Sequence, residues 1–324
     1  MPHYENEPTI NREVTTRDWR DQLFEDDFVV LEGVLSPEKA QSYVDRMFQW
    51  LETFSYGFRA EDPSTWGEEH LPAHIKGGMY HGYSVQHEKV IWDARTEPAM
   101  LEAFSKLWGT DELLVSFDGM NLMLLVTSMK PSEPWPHVDQ NPDRKGMQCV
   151  QGILNLAPTR PEDGGLVVLK GSQKLDELFF KAHPEVKERP TWGPADWFGF
   201  LGGEVAWFEQ RGCELIKVCA EPGDLILWDS RTVHYNKVPS SQNFRAVMYI
   251  CYTPAGFALQ ENLEKKAGYF RQRFGTTHWP HANIFHYESK QLRLGKEDSF
   301  SRERPADEPE ETDLLLKLAG VVPY

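Results

Sequence analysis

From Leu113 onward the chain is a succession of short apolar runs, and no other feature constrains the fold as much. The runs "LLVSFDGMNLMLLV", "MQCVQGILNLA", "GGLVVLKGS", "CELIKVC", "GDLILWDS" and "FRAVMYICYTP" follow one another, bounded by Gly, Pro, Asp and Ser. Apolar runs set off by turn residues read as strands. Strands that succeed one another without helical patterns between them pair antiparallel, as in a sandwich or jelly roll, and not as a parallel α/β sheet. The expected fold is therefore mainly β with flanking helices around a double-stranded β-helix (jelly-roll, cupin-like) core at about residues 113–258. One stretch, about 174–212, breaks the strand series with Pro, Gly and aromatic residues. Long insertions in a strand series are often binding loops, so this one reads as a lid-like segment over one mouth of the barrel.

The region before the strands, about 1–112, reads as helical support. "FVVLEGVLSPEKAQSYVDRMFQWLETF" is a strand followed by a helix, with Ser36 as N-cap and Pro37 at the first helical position. Ala40, Tyr43, Met47, Leu51 and Phe54 fall on one face of that helix and point to a core. A second helix is expected over 98–108, from Pro98 to a stop at Gly109. The remainder, 259–324, reads as a helical extension with an acidic, Pro-bearing, solvated stretch and a last short apolar helix at Leu314 to Leu318. With 324 residues and 40% hydrophobic content, one domain spanning 1–324 is the expectation.

Charge narrows the choice of partners. Against 34 basic residues stand 50 acidic ones, a formal net charge of -16, which repels nucleic-acid phosphates and anionic lipid. No apolar stretch approaches the roughly 20 residues needed to cross a bilayer, and the opening "MPHYENEPTINREV" has no leader-like apolar run. The four cysteines, Cys149, Cys213, Cys219 and Cys251, form no CxxC pair, so neither a zinc ribbon nor a disulfide framework is signalled. A cytoplasmic protein acting on a small molecule is expected, with no nucleic-acid or membrane partner. Nothing in the sequence specifies an oligomeric state.

Within "PWPHVDQNP", His137 and Asp139 stand in the pattern His-x-Asp. On extended backbone, residues two apart project to the same side, so an imidazole and a carboxylate converge on one point. Alone, the pattern equally describes a solvated surface loop. The second half of the site is His234, at the end of the strand-like "PGDLILWDS" and its continuation "RTVHYNK". Two imidazoles and one carboxylate form a facial triad that suits Fe(II) and leaves positions open for an organic cosubstrate and O₂. Arg245, in "NFRAVMYICYTP", is expected on the strand adjacent to that of His234, where a guanidinium would clamp a carboxylate bidentately. Without the triad, Arg245 reads as a strand-edge charge or a salt-bridge partner.

Taken together, "FVVLEGVLSPE", "PHVD", "GGLVVLKGSQK", "PGDLILWDSRTVHYN" and "RAVMYI" resemble the phytanoyl-CoA dioxygenase family of Fe(II)- and 2-oxoglutarate-dependent oxygenases. The resemblance covers most of residues 28–254, and its strength lies in motif order and spacing. It implies that His137, Asp139 and His234 ligate iron and that Arg245 binds the distal carboxylate of 2-oxoglutarate. Some members carry Ser two residues after the distal His as a helper on that carboxylate; here Asn236 takes that place, and its amide can donate instead. The implied reaction consumes O₂ and 2-oxoglutarate, releases succinate and CO₂, and oxidises a C–H bond of a second substrate, most often by hydroxylation. Related halogenases replace the carboxylate ligand by a small residue; Asp139 speaks against halogenation. No segment reads as an acyl-CoA site, so a smaller metabolite is expected, an amino acid or a specialised natural product.

Other clusters compete for attention. Gln151 and Asn155 alternate on the strand after His-x-Asp, where each either faces the pocket or does not, with Gln151 the candidate for the cofactor. "THWPHANIFH" gathers His278, His281 and His286, but Asn283 replaces an acidic ligand, and packing is the expected role. In "GGMYHGYSVQHEKVIWDAR", Tyr80, His81, Tyr83, His87, Trp92 and Arg95 either line a substrate mouth or form an ordinary connection to the sheet. The alternative to an oxygenase is a non-oxidative cupin-type metal-binding isomerase or ligand-binding protein, which has no need of Arg245 as a clamp. A catalytically silent scaffold is a third reading, opposed by the intact triad.

Overall fold

The computed structural model describes residues 15–124, 133–189, 196–286 and 291–324. Residues 1–14 of the expected helical support, the end of the "LLVSFDGMNLMLLV" run and residues 190–195 of the insertion lie outside these. Two antiparallel sheets face each other as the halves of an open jelly roll, not a closed barrel. The larger runs in the order β1 (Phe28–Leu31), β10 (Leu225–Asp229), β6 (Val150–Asn155), β12 (Arg245–Tyr249), β4 (Met120–Met123), β2 (Met79–Tyr80). The smaller runs β8 (Phe198–Gly199), β5 (His137–Val138), β11 (His234–Lys237), β7 (Gly165–Lys170), β9 (Glu214–Lys217). A separate pair, β3 (Leu113–Val115) with β13 (Tyr252–Pro254), extends the larger sheet's strands, and a hairpin, β14 (Leu292–Arg293) with β15 (Lys296–Glu297), lies in the extension.

The central strands are apolar on both faces because each face has something to bury against. Along β6, Val150 and Leu154 join the core under the helices, while Ile153 points between the sheets with Leu166, Val168, Ile226, Trp228 and Val247. The period-2 alternation of strand side chains thus serves two cores at once. Gly152 is needed in the middle of β6, since a Cβ there would lie 2.3 Å from the Ile250 carbonyl oxygen.

Helices α1 (Trp19–Asp26), α2 (Pro37–Glu52), α3 (Lys89–Arg95) and α4 (Pro98–Trp108) form the expected support. Ser36 caps α2 by accepting from the Lys39 amide, Pro37 opens it, and Ala40, Tyr43, Met47, Leu51 and Phe54 are all buried. Gly109, at φ 72°, ends α4 in the left-handed conformation that favours glycine.

Several details depart from the sequence reading. "LLVSFDGMNLMLLV" is two strands, β3 and β4, broken at Ser116–Gly119. The insertion is not a run of loops: it holds α5 (Asp176–Ala182), α6 (Gly202–Glu209) and the edge strand β8, which pairs with β5 so that Gly199 stands opposite His137. Its rings, among them Phe179, Phe198, Phe200 and Phe208, make a core of their own. The extension carries α7 (Gln260–Gln272) and α8 (Asp313–Leu318), with Leu315 and Leu318 buried. The acidic stretch before α8 is tied down, through Arg273 to Glu308 and Glu311 and through the amides of Ala306 and Asp307 to the Glu88 carboxylate. Among the described residues no helix is long and apolar enough to cross a membrane.

Candidate metal centre and cosubstrate chamber

His137 and His234 meet because β5 and β11 are neighbours in the smaller sheet with these two residues in register. Asp139 follows β5 immediately, its amide donating to the Ser230 carbonyl at 2.9 Å. Asp139 Oδ2 lies 3.6 Å from His137 Nε2 and 3.2 Å from His234 Nε2. The three side chains are buried, and their ligand atoms all lie within 4.8 Å of one another.

Each imidazole is fixed in the tautomer that metal binding requires. His137 Nδ1 donates to the Trp135 carbonyl at 3.1 Å, and His234 Nδ1 to the Thr232 carbonyl at 2.8 Å. Both Nε2 lone pairs are therefore turned toward the carboxylate, the arrangement seen when backbone acceptors orient metal-ligating histidines. Burial pushes the Asp139 carboxyl up, but the neighbouring histidines, His137 first and then His278 and His234, outweigh it, holding the group well below the usual carboxylate range. Burial likewise lowers His137, reinforced by His234. An anionic carboxylate beside neutral imidazoles is the donor set that a ferrous ion needs, and the residues present fit that ion.

Two further residues brace Asp139. Gln151, on β6 across the sandwich, donates its amide to Asp139 Oδ2 at 2.9 Å. Trp279, fully buried in the extension, donates its indole N–H to the Asp139 carbonyl at 3.2 Å. Gln151 thus faces the pocket, with its amide engaged on the Asp139 carboxylate. Asn155 does not line the pocket. Its amide is used on the Ala157 and Glu221 carbonyls and its oxygen on Thr159, at the far end of β6.

The triad opens into a chamber of about 420 Å³ whose walls include Ile153, Leu166, Trp228, Tyr249, Trp135 and Trp197. A second chamber, of about 530 Å³, holds Arg245, and the two share Lys76, Met79, Trp135 and Asn236 as lining. Arg245 is buried, but not on the strand beside His234. β11 lies in the smaller sheet and β12 in the larger, so Arg245 reaches toward the site from the facing sheet. Gly165, at φ 140°, a conformation that favours glycine, lies beside it. Burial raises the Tyr249 phenol above its ordinary value, opposed by the guanidinium of Arg245. Asn236 Oδ1 and Trp228 Nε1 are buried with no hydrogen-bond partner among the described residues. The unpaired Trp228 indole N–H in one chamber and the buried guanidinium in the other are donors that fit a small polar anion such as 2-oxoglutarate.

The competing clusters resolve differently from one another. Of the upstream group only His81 lines the metal chamber, 3.6 Å from Asp118. Tyr80, Tyr83 and Trp92 are core, His87 packs among Trp92, Phe117 and Phe270, and Arg95 is buried on the Gln86 and Asp118 carbonyls. The three downstream histidines do not converge. His278 lines the metal chamber, His281 bonds Thr253, and His286 stacks on Tyr269. Trp279 was hidden from sequence reasoning, and only the repeat of "WPH" marked its segment.

The sequence model described as phytanoyl-CoA dioxygenase (PhyH) matches residues 25–247. The chain is 44% identical over 266 residues to Ava biosynthesis cluster protein O of Aspergillus versicolor, covering 82% of this chain and 86% of that protein. Among solved structures it resembles EctD from S. alaskensis, crystallised with 2-oxoglutarate and 5-hydroxyectoine, at 14% identity and a TM-score of 0.50 over 91% of this chain and 92% of that one. A hypothetical protein from Escherichia coli superposes with a TM-score of 0.57 at 14% identity, over 87% and 78% of the two chains. At such identities the structural likeness speaks for the jelly-roll fold, while the sequence match carries the family. The chain belongs to the phytanoyl-CoA dioxygenase family and is an Fe(II)- and 2-oxoglutarate-dependent dioxygenase.

Proposed function

We propose that this enzyme oxidises a C–H bond of a small-molecule metabolite, by hydroxylation or a related oxidative change, in specialised-metabolite or amino-acid biosynthesis, with release of succinate and CO₂. The observation that carries this reading is the continuity of the buried triad with the chamber that holds Arg245. In this reading His137, Asp139 and His234 hold the iron from one side. Bound iron supplies the activation of O₂, driven by 2-oxoglutarate, that breaks a strong C–H bond. Arg245 receives the distal carboxylate of 2-oxoglutarate, with the amide of Asn236 as a second donor. Gln151 keeps Asp139 oriented, and Ile153, Leu166 and Trp228 exclude water from the cosubstrate. The 44% identical relative is named for a biosynthesis cluster, which favours a metabolite over a macromolecule as substrate.

A non-oxidative metal-binding cupin is the second reading, and the buried Arg245 beside the triad weighs against it. The deciding experiment measures succinate release from 2-oxoglutarate across a metabolite panel, with a product gaining or losing atoms in a 1:1 ratio to succinate. Anaerobic protein with Fe(II) and 2-oxoglutarate is expected to show a weak visible band that His137→Ala or Asp139→Ala removes. A band unchanged in both variants would reject the ligand set.

A further inference from the structure

The family match ends at residue 247, yet the metal chamber is lined in part by His278 and Gln291, which lie beyond it. His278 is held there by its neighbour. Trp279 packs fully buried against Cys149 and Cys251 and donates to the Asp139 carbonyl at 3.2 Å, so the backbone carrying His278 is fixed to a metal ligand. The buried Nε2 of His278 has no hydrogen-bond partner among the described residues.

Trp197 also lines the metal chamber. Its ring is stacked toward His137 at 6.0 Å between centroids, and 41% of the residue stays exposed although it is a large apolar group lining a cavity. Gly199 leaves room for the indole, since a Cβ there would come 2.5 Å from the ring. The two segments are linked. Arg144 lies over the Trp279 ring at 4.8 Å and pairs with Asp196, the residue before Trp197, at 2.6 Å.

A flat indole beside His137 and an imidazole next to the Trp279 that bonds Asp139, both lining the metal chamber and linked through Arg144 and Asp196, make a recognition pair. We infer that the substrate is a planar, largely apolar ring compound bearing a hydroxyl or similar hydrogen-bonding group, its ring resting on Trp197 and its polar group bonded to His278 from the C-terminal extension. The inference rests on the proposed oxidation of a small metabolite. It assigns specificity to two residues that do not touch iron or 2-oxoglutarate. The exposed apolar surface of Trp197 is covered when the ring binds, and the orphaned imidazole nitrogen gains its partner.

The test uses the full-length protein, anaerobic and loaded with Fe(II) and 2-oxoglutarate, with three probes of similar size: 2-naphthol, naphthalene and decahydro-2-naphthol. Binding is read as perturbation of the visible Fe(II)–2-oxoglutarate band. The unaltered protein is expected to bind 2-naphthol about tenfold more tightly than either of the others. His278→Ala should erase the preference over naphthalene, and His278→Gln should restore part of it. Trp197→Ala should erase the preference over decahydro-2-naphthol, and Trp197→Phe should keep it. In all four variants 2-oxoglutarate affinity should stay within about twofold, which separates recognition from folding. No 2-naphthol preference in the unaltered protein, or a preference that survives both alanine variants, overturns the inference while leaving the oxygenase reading intact. Absence of the visible band in the unaltered protein would instead strike the oxygenase reading itself.

Discussion

Gln151 donates its side-chain amide to Asp139 Oδ2 at 2.9 Å from a strand in the sheet opposite the one that carries His137 and His234. The Asp139 carboxylate is therefore held by both halves of the sandwich. Partners of this kind orient first-row metal ligands, and their loss typically costs 10–100-fold in metal affinity. Gln151→Leu, which keeps the volume and removes the donor, is expected to weaken Fe(II) binding by about that range. Anaerobic metal titration checks it, with unaltered affinity as the contrary result.

Arg245 lines the second chamber and approaches it from β12 in the larger sheet. A charge-assisted pair contributes about 1.5–3 kcal/mol, so Arg245→Ala should raise the 2-oxoglutarate dissociation constant about 10- to 100-fold. Iron content should remain near that of the unaltered protein, because Arg245 does not touch the triad. Arg245→Lys should recover little, since an ammonium lacks the planar fork. Titration of the visible band with 2-oxoglutarate gives the answer, and equal affinity in the alanine variant would remove Arg245 from the site.

The strand series and the triad were legible because each depends on local pattern. Apolar runs closed by Gly, Pro, Asp and Ser mark strands wherever both faces are covered, as β6, β10 and β12 are. His-x-Asp with a later His keeps its meaning without knowledge of the sheets. The partner sheet of Arg245 was not legible. Nearness in sequence suggested nearness to β11, whereas the segment between Lys237 and Arg245 carries the chain from one sheet to the other. The insertion hid two helices of seven and eight residues, too short for a helical period to emerge among its aromatics. Trp279 could not be seen because its partner, Asp139, lies 140 positions away.

Asp27 gives the fold a pH dependence of definite sign. Burial, reinforced by Asp229, pushes its carboxyl up from 3.8 to about 7. The folded chain therefore keeps this proton through a range in which the unfolded chain has lost it. The stabilisation is complete below about pH 3.8, falls as pH rises, and is gone above about pH 7, a swing of up to about 4 kcal/mol. Asp176, raised to about 8 by burial, acts in the same direction. Asp27 has φ 74°, a conformation that asparagine also tolerates. Asp27→Asn is expected to flatten part of the decline between pH 4 and 7 and to be more stable than the parent at pH 8. Chemical denaturation at several pH values measures it, and parallel curves for the two proteins would contradict the assignment.

Gly152 links the stability of the larger sheet to the metal site, because it sits beside Gln151 on β6. A methyl group at this position would come 2.3 Å from the Ile250 carbonyl oxygen and 3.1 Å from the Phe104 ring. The first contact is with backbone that also accepts no rotation: the Ile250 amide donates to the Gly152 carbonyl at 3.0 Å. Relief requires β6 to move away from the segment that joins β12 to β13, and Gln151 moves with it. Overpacking of this kind costs about 1–3 kcal/mol, so Gly152→Ala should lower the melting temperature by on the order of a few degrees. Fe(II) affinity should fall as well, since the amide of Gln151 no longer reaches Asp139 in the same geometry. A melting curve and a metal titration on the same sample decide the matter. A variant as stable as its parent would mean that the sheet accommodates the methyl group without moving β6.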